Sequence, residues 1–153
     1  MSFLLKNTLT KCTKENTSFY RFDNKKYYCK VIDIYDGDTI TVAIKLNNKI
    51  FKHKVRMYGY DTPELKPRKN IPNRNKIIEN AKYTKKILEE LILNKIVVIR
   101  IERPTWDKYG RLLGTIFTKL KWGMTMRAYT FDVNAFMLSI GSVNEYFGGT
   151  KKN

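Results

Sequence analysis

The sequence predicts an α+β fold dominated by β-structure: a five-stranded barrel with one main helix after the third strand and a short helix near the C-terminus. Three observations predict it. Apolar residues alternate in three consecutive segments from Tyr27 onward, a three- and four-residue apolar period follows, and two more alternating segments come after that. A chain of 153 residues accommodates one domain of this kind, burying roughly 68–70% of the surface its unfolded form would expose.

The elements follow in order. "YYCKVIDIY" alternates as a strand, "DG" at Asp36 and Gly37 marks a turn, and "TITVAIKL" alternates again, which makes a hairpin. Asn47 and Asn48 supply a second turn before a third strand, "IFKHKVRMYG". From Glu64 to Lys76 the composition shifts to Lys, Arg, Pro and Asn, as in an exposed loop. Ile77, Ile78, Ala81, Thr84, Leu88, Leu91 and Ile92 then share one helical face, with Glu79, Lys82, Lys85, Lys86, Glu89 and Glu90 opposite. This is an amphipathic helix about 25 Å long. "KIVVIRIER" reads as a fourth strand, "PTWDKYGR" as a turn, "LLGTIFT" as a fifth strand, and Val133 to Ile140 as a second helix. Five strands with a helix after the third is the order of the OB-fold barrel, whose faces and loops often hold nucleic acids or sugars, although other small barrels fit the same order.

Composition narrows the partners. Thirty Lys and Arg against fourteen Asp and Glu give a formal net charge of +16, which favours nucleic acid, an anionic membrane surface or an acidic protein. Cys12 and Cys29 form no disulfide or zinc spacing and are expected as reduced thiols. The apolar run Phe3 to Leu5 is too short for a signal peptide, and no stretch reaches the ~18 apolar residues of a membrane span. The expectation is therefore an intracellular protein without stable membrane association. Heavy use of Lys, Asn, Ile and Tyr fits an A/T-rich genome, a viral one included.

The chemistry-bearing residues cluster in three short motifs. Asp38 follows one turn and Asp61 follows the end of the third strand, so a closed barrel can bring both to one rim. Two carboxylates held together in a basic protein suit a hard divalent cation such as Ca²⁺, which takes carboxylate and carbonyl oxygens. Each aspartate alone would equally serve as a turn residue. Arg56 and Arg111 carry planar guanidinium groups suited to a phosphate, or to solvent if they are ordinary surface arginines. Glu64, beyond Pro63, is placed to accept a proton from an attacking water.

"IDIYDGDTI", "VRMYGYDTPE" and "DKYGRLLGTI", in that order and with a helix between the second and third, resemble the signature segments of the staphylococcal nuclease (thermonuclease-like) family. The resemblance covers about 31–117, with a weaker echo in "VNAFMLSIGS". It implies a Ca²⁺ site from the Asp38 and Asp61 carboxylates and the Thr62 carbonyl, with Asp36 behind them. It further implies transition-state stabilisation by Arg56 and Arg111, water activation by Glu64, and nucleotide contacts from Lys108 and Tyr109. The activity implied is hydrolysis of DNA and/or RNA with little sequence preference, leaving 3′-phosphate ends. The alternative is a non-catalytic nucleic-acid-binding module on the same barrel.

On this reading residues 1–25 are an N-terminal extension, 26–148 the nuclease domain and 149–153 a basic tail. The segment 118–132 is longer than its counterpart in the family's prototype. Tyr146 or Phe147 would stand in for aromatics that contact a base, and the basic loop 64–76 would guide the nucleic-acid backbone. His53 receives no role, and Trp106 and Trp122 are expected in packing.

Overall fold

The computed structural model of the protein describes residues 7–17, 22, 25–119, 128–140 and 143–146. Trp122, Phe147, most of the long segment after Thr118 and the 149–153 tail lie outside them, as does the side chain of Tyr146. The strands are β1 (Lys26–Ile34), β2 (Thr39–Leu46), β3 (Lys49–Met57), β4 (Gly59–Asp61), β5 (Ile96–Trp106), β6 (Leu112–Thr118), β7 (Phe131–Asp132) and β8 (Asn144–Tyr146). The helices are α1 (Arg74–Ile92) and α2 (Val133–Ser139).

β1, β2, β3, β5 and β6 form the predicted barrel. They run in the order β3-β2-β1-β5-β6, and a parallel pairing of β3 with β6 closes the circle at Val55↔Leu112, Arg56↔Leu113 and Met57↔Gly114. β7 pairs antiparallel with the end of β6 over two residues, and β4 pairs with β8 in a small second sheet. β2 sends every second side chain inward, Ile40, Val42 and Ile44, opposite β1's Val31 and Ile34. The β2–β3 turn matches its sequence: Asn47 and Asn48 both have positive φ, the conformation a two-residue primed turn demands.

α1 covers one end of the barrel through Ala81, Thr84, Leu88 and Ile92. At its end the Lys95 ammonium donates to the carbonyls of Glu90 and Leu91, at 2.9 and 2.7 Å, which the helix itself leaves unpaired. Asn134 fixes α2 against the barrel: its amide nitrogen donates to the Tyr58 and Gly114 carbonyls and its oxygen accepts from Ile116 N–H. Gly114 is required there because a Cβ would lie 2.7 Å from Ile99 Cδ1.

Two boundaries differ from those read in the sequence. α1 begins at Arg74, one turn before the apolar period, because Asn73 in the left-handed conformation (φ 57°) reverses the chain there. β5 continues through "PTW" to Trp106, where the sequence reads a turn; a register shift between Ile101 and Trp106 absorbs Pro104, which has no N–H to give a ladder. Trp106 packs its ring on Phe22 and His53, as expected of a packing residue, although it stays 43% exposed. Both cysteines are free; Cys12 is exposed and Cys29 buried, and burial pushes the Cys29 thiol up to about 12. No helix among the described residues is long and apolar enough to cross a membrane.

Leu88→Ala is expected to cost about 2–5 kcal/mol in urea denaturation, whereas Tyr83→Ala on the exposed face of the same helix (58% exposed) should stay within ~0.5 kcal/mol. A thiol titration of the native protein with a disulfide reagent should register Cys12 promptly and Cys29 only after denaturation, since the thiolate is the nucleophile.

Candidate nuclease site at the barrel rim

The β1–β2 turn is built to present one carboxylate. Tyr35 N–H donates to the Thr39 carbonyl at 2.9 Å, and Asp38 N–H donates to Asp36 Oδ1 at 3.1 Å. The Asp38 carbonyl accepts from Met57 N–H at 2.7 Å, which ties the turn to β3. Below it, the buried Tyr60 hydroxyl donates to the Gly37 carbonyl at 2.9 Å. Gly37 admits no side chain: a Cβ would sit 2.7 Å from Thr84 Cγ2 and 2.8 Å from Thr62 Cγ2.

Asp38 is 5% exposed and fully engaged. Its Oδ1 accepts from Thr39 Oγ1 at 2.9 Å, and its Oδ2 accepts from Thr62 N–H at 3.0 Å and Thr62 Oγ1 at 2.9 Å. The same Oδ2 pairs with Arg56 Nη1, while Arg56 Nη2 donates to Asp61 Oδ1 at 2.6 Å. One buried guanidinium thus spans both carboxylates, so Asp38 and Asp61 converge as the rim geometry requires. Burial, followed by the Asp38 charge, raises the Asp36 carboxyl to about 6. Burial and then Asp38 likewise hold the Tyr60 phenol well above its ordinary range.

Arg111 enters from the β5–β6 turn. Its Nη1 donates to Thr39 Oγ1 at 2.9 Å, so Thr39 links it to Asp38. Asp107 shapes that turn by accepting from Tyr109 N–H, Arg111 N–H and Arg111 Nε, at 2.9, 2.9 and 2.6 Å. Partial burial pushes the Asp107 carboxyl up, but these hydrogen bonds and the Arg111 charge outweigh it and hold the group below the usual carboxylate range. Tyr109 is 72% exposed, with the Arg111 guanidinium 5.4 Å and the Lys108 ammonium 5.1 Å from its ring centroid.

A family model described as staphylococcal nuclease homologue matches residues 54–152. The chain belongs to this family. Among curated proteins, it is 31% identical over 146 residues to an uncharacterised protein of Methanocaldococcus jannaschii, covering 76% of this chain and 69% of the other. It is 30% identical over 114 residues to an uncharacterised endonuclease of Haemophilus influenzae, covering 74% of this chain. The chain spans about half of that endonuclease, 49% of its length.

In this staphylococcal nuclease homologue, Asp36, Asp38, Arg56, Asp61 and Thr62 meet directly, and Arg111 joins them through Thr39. Glu64 is exposed and lines a groove of about 570 Å³ with Pro67, Arg68, Asn70, Ile71, Pro72 and Ile77. Lys108 and Tyr109 lie on the exposed turn beside Arg111. Thr39, Gly37, Tyr60 and Asp107 shape this cluster, and reading the sequence for site residues passed over them. Thr39 and Asp107 were within reach, because each flanks a singled-out residue, in "DGDT" and in "DKYGR" four residues before Arg111.

The oxygen-rich donor set of Asp38, Asp61 and the Thr62 carbonyl fits a hard divalent cation. Among the described residues no group of three or more His, Cys, Asp or Glu side chains has metal-binding spacing, so such an ion would complete its shell with carbonyl oxygen and water. Gly37→Ala should destabilise the protein by about 1–3 kcal/mol through overpacking, with Thr84→Ser in the same chain restoring part of the loss; paired thermal melts check both.

Proposed function

We propose that the chain is a calcium-dependent nuclease that hydrolyses phosphodiester bonds of DNA and/or RNA with little sequence specificity and leaves 3′-phosphate ends. The observation that carries this reading is the single guanidinium of Arg56 held by both Asp38 and Asp61 at the barrel rim, with Arg111 one hydroxyl away. Carboxylates and guanidinium groups thus meet at one rim. The family match and the relative named an endonuclease support the same class of reaction.

Each residue has a distinct task. Asp38, Asp61 and the Thr62 carbonyl hold the cation, and Asp36 sets the field behind Asp38. When bound, the ion supplies Lewis-acid charge to the phosphoryl group. Arg56 pairs two of its nitrogens with carboxylates and so brings to the rim a guanidinium, a group suited to a phosphate. Arg111 approaches from the opposite loop, and together they stabilise the charge that develops on the pentacoordinate phosphorus. Glu64 takes the proton of the attacking water from its place in the groove. Lys108 and Tyr109 contact the nucleotide, and the basic loop 64–76 guides the strand.

Incubation with single-stranded and duplex DNA and with RNA, in calcium or in chelator, tests the reading. Cleavage is expected in calcium and lost in chelator. Glu64→Gln should slow turnover by about 10²–10⁴, and Arg111→Lys by roughly 10²–10³. Intact substrate under every condition, with tight salt-sensitive binding, would instead establish the non-catalytic binding module.

A further inference from the structure

The outer face of β3 carries a row of cations that ends at the site. Side chains two residues apart on a strand share a face, so Ile50, Lys52, Lys54 and Arg56 project from one side of β3 at intervals of about 7 Å. The opposite face holds Val55, buried in the core. Cross-strand pairing adds neighbours to the row: Ile50 faces Lys45, Lys52 faces Ala43, Lys54 faces Thr41 and Arg56 faces Thr39. Lys30 of β1 faces Ala43 from its other side, two strands from Lys52. Lys30, Lys45, Lys52 and Lys54 are exposed, and no ion pair among the described residues neutralises them. Asp33, across Thr41 from Lys54, is the carboxylate on this part of the face.

The backbone adds a second feature. β3 pairs with β2 along its whole length, yet β6 meets it only at Val55, Arg56 and Met57. The half of the hairpin before Val55 therefore projects past the barrel closure with an open edge. Exposed edges of this kind are commonly blunted by lysine. That explanation accounts for some lysine on the strand, but not for a one-sided row aligned with a buried arginine.

We infer that the outer face of the β2–β3 hairpin is a binding track for single-stranded nucleic acid, along which Lys45, Lys52 and Lys54 grip successive phosphates and deliver the strand to Arg56. The inference rests on the nuclease reading for the identity of the strand. The spacing is linear and regular, as a single polyanionic chain requires. An anionic membrane would instead favour a broad apolar rim, and among the described residues the outer face of this hairpin exposes one large hydrophobic, Ile50, with Tyr28 near Lys30 on the neighbouring β1. The track lies outside the Lys108–Tyr109 turn and the 64–76 loop, so it extends the bound strand beyond the cleaved position.

The test measures binding of a twelve-nucleotide single strand in chelator across a salt series, with dinucleotide cleavage in calcium measured separately. Each phosphate contact on a single strand contributes about 0.7 to the slope of log K against log salt. Lys45→Gln, Lys52→Gln and Lys54→Gln combined should therefore flatten the slope by about 2 and weaken binding at 0.1 M salt by up to roughly a hundredfold. Dinucleotide cleavage should stay within about twofold, and the melting curve should be retained. Lys82→Gln, Lys85→Gln and Lys86→Gln on α1 remove the same charge elsewhere and should change the slope by less than one contact. Equal flattening by both triple variants would reduce the effect to bulk charge and overturn the track, as would an unchanged slope in the hairpin variant. Loss of binding only to vesicles rich in anionic headgroups, with strand binding intact, would also overturn it. Because the binding arm needs no catalysis, a protein that fails to cleave but shows the slope change would sink the nuclease reading and leave the track standing.

Discussion

Arg56 is where fold and site are one constraint. Its backbone pairs with Thr39 on one side and Leu113 on the other, at the point where β3 leaves β2's company and the barrel closes on β6. Its guanidinium is buried and holds two carboxylates from different segments. A buried charge is costly unless it is paired and hydrogen-bonded, and removing one partner of such a group costs several kcal/mol because the other is stranded. The rim therefore has few alternatives: Asp38, Asp61 and Arg56 fold together or each pays a desolvation penalty alone.

Around that triad the smaller contacts serve orientation. Thr62 gives Asp38 both a backbone and a hydroxyl hydrogen bond, and Thr39 passes the connection to Arg111. Asp107 in turn fixes Arg111 and the turn that carries Tyr109. Preorganised donors of this kind cost no rearrangement when charge develops, which is why such sites are built on strand ends and short turns rather than on long loops. Glu64 lies instead on the exposed loop that leaves β4.

The chain's excess of positive charge acts at two ranges. At long range a net +16 draws a polyanion toward the surface. At short range three acids, Asp36, Asp38 and Asp61, gather at one rim, where burial, followed by the Asp38 charge, raises the Asp36 carboxyl to about 6.

Most of the architecture could be read in the residues. Alternation gave the five barrel strands, the 3.6-residue period gave α1, and paired asparagines gave the β2–β3 turn, because each signal is local and is satisfied by a neighbour in sequence. The end of β5 was misread for the opposite reason: Pro104 looks like a turn until a register shift with β6 accommodates it. The candidate acids and arginines were also visible as residue types in short motifs. Their partnership was not, since Asp38 and Thr62, or Thr39 and Arg111, lie far apart along the chain, and only barrel closure brings them within hydrogen-bond distance. Sequence thus determined the elements and the chemical inventory, through periodicity and side-chain identity. Tertiary structure decided which members of that inventory touch, because the β3–β6 closure sets the positions from which every group at the rim must reach.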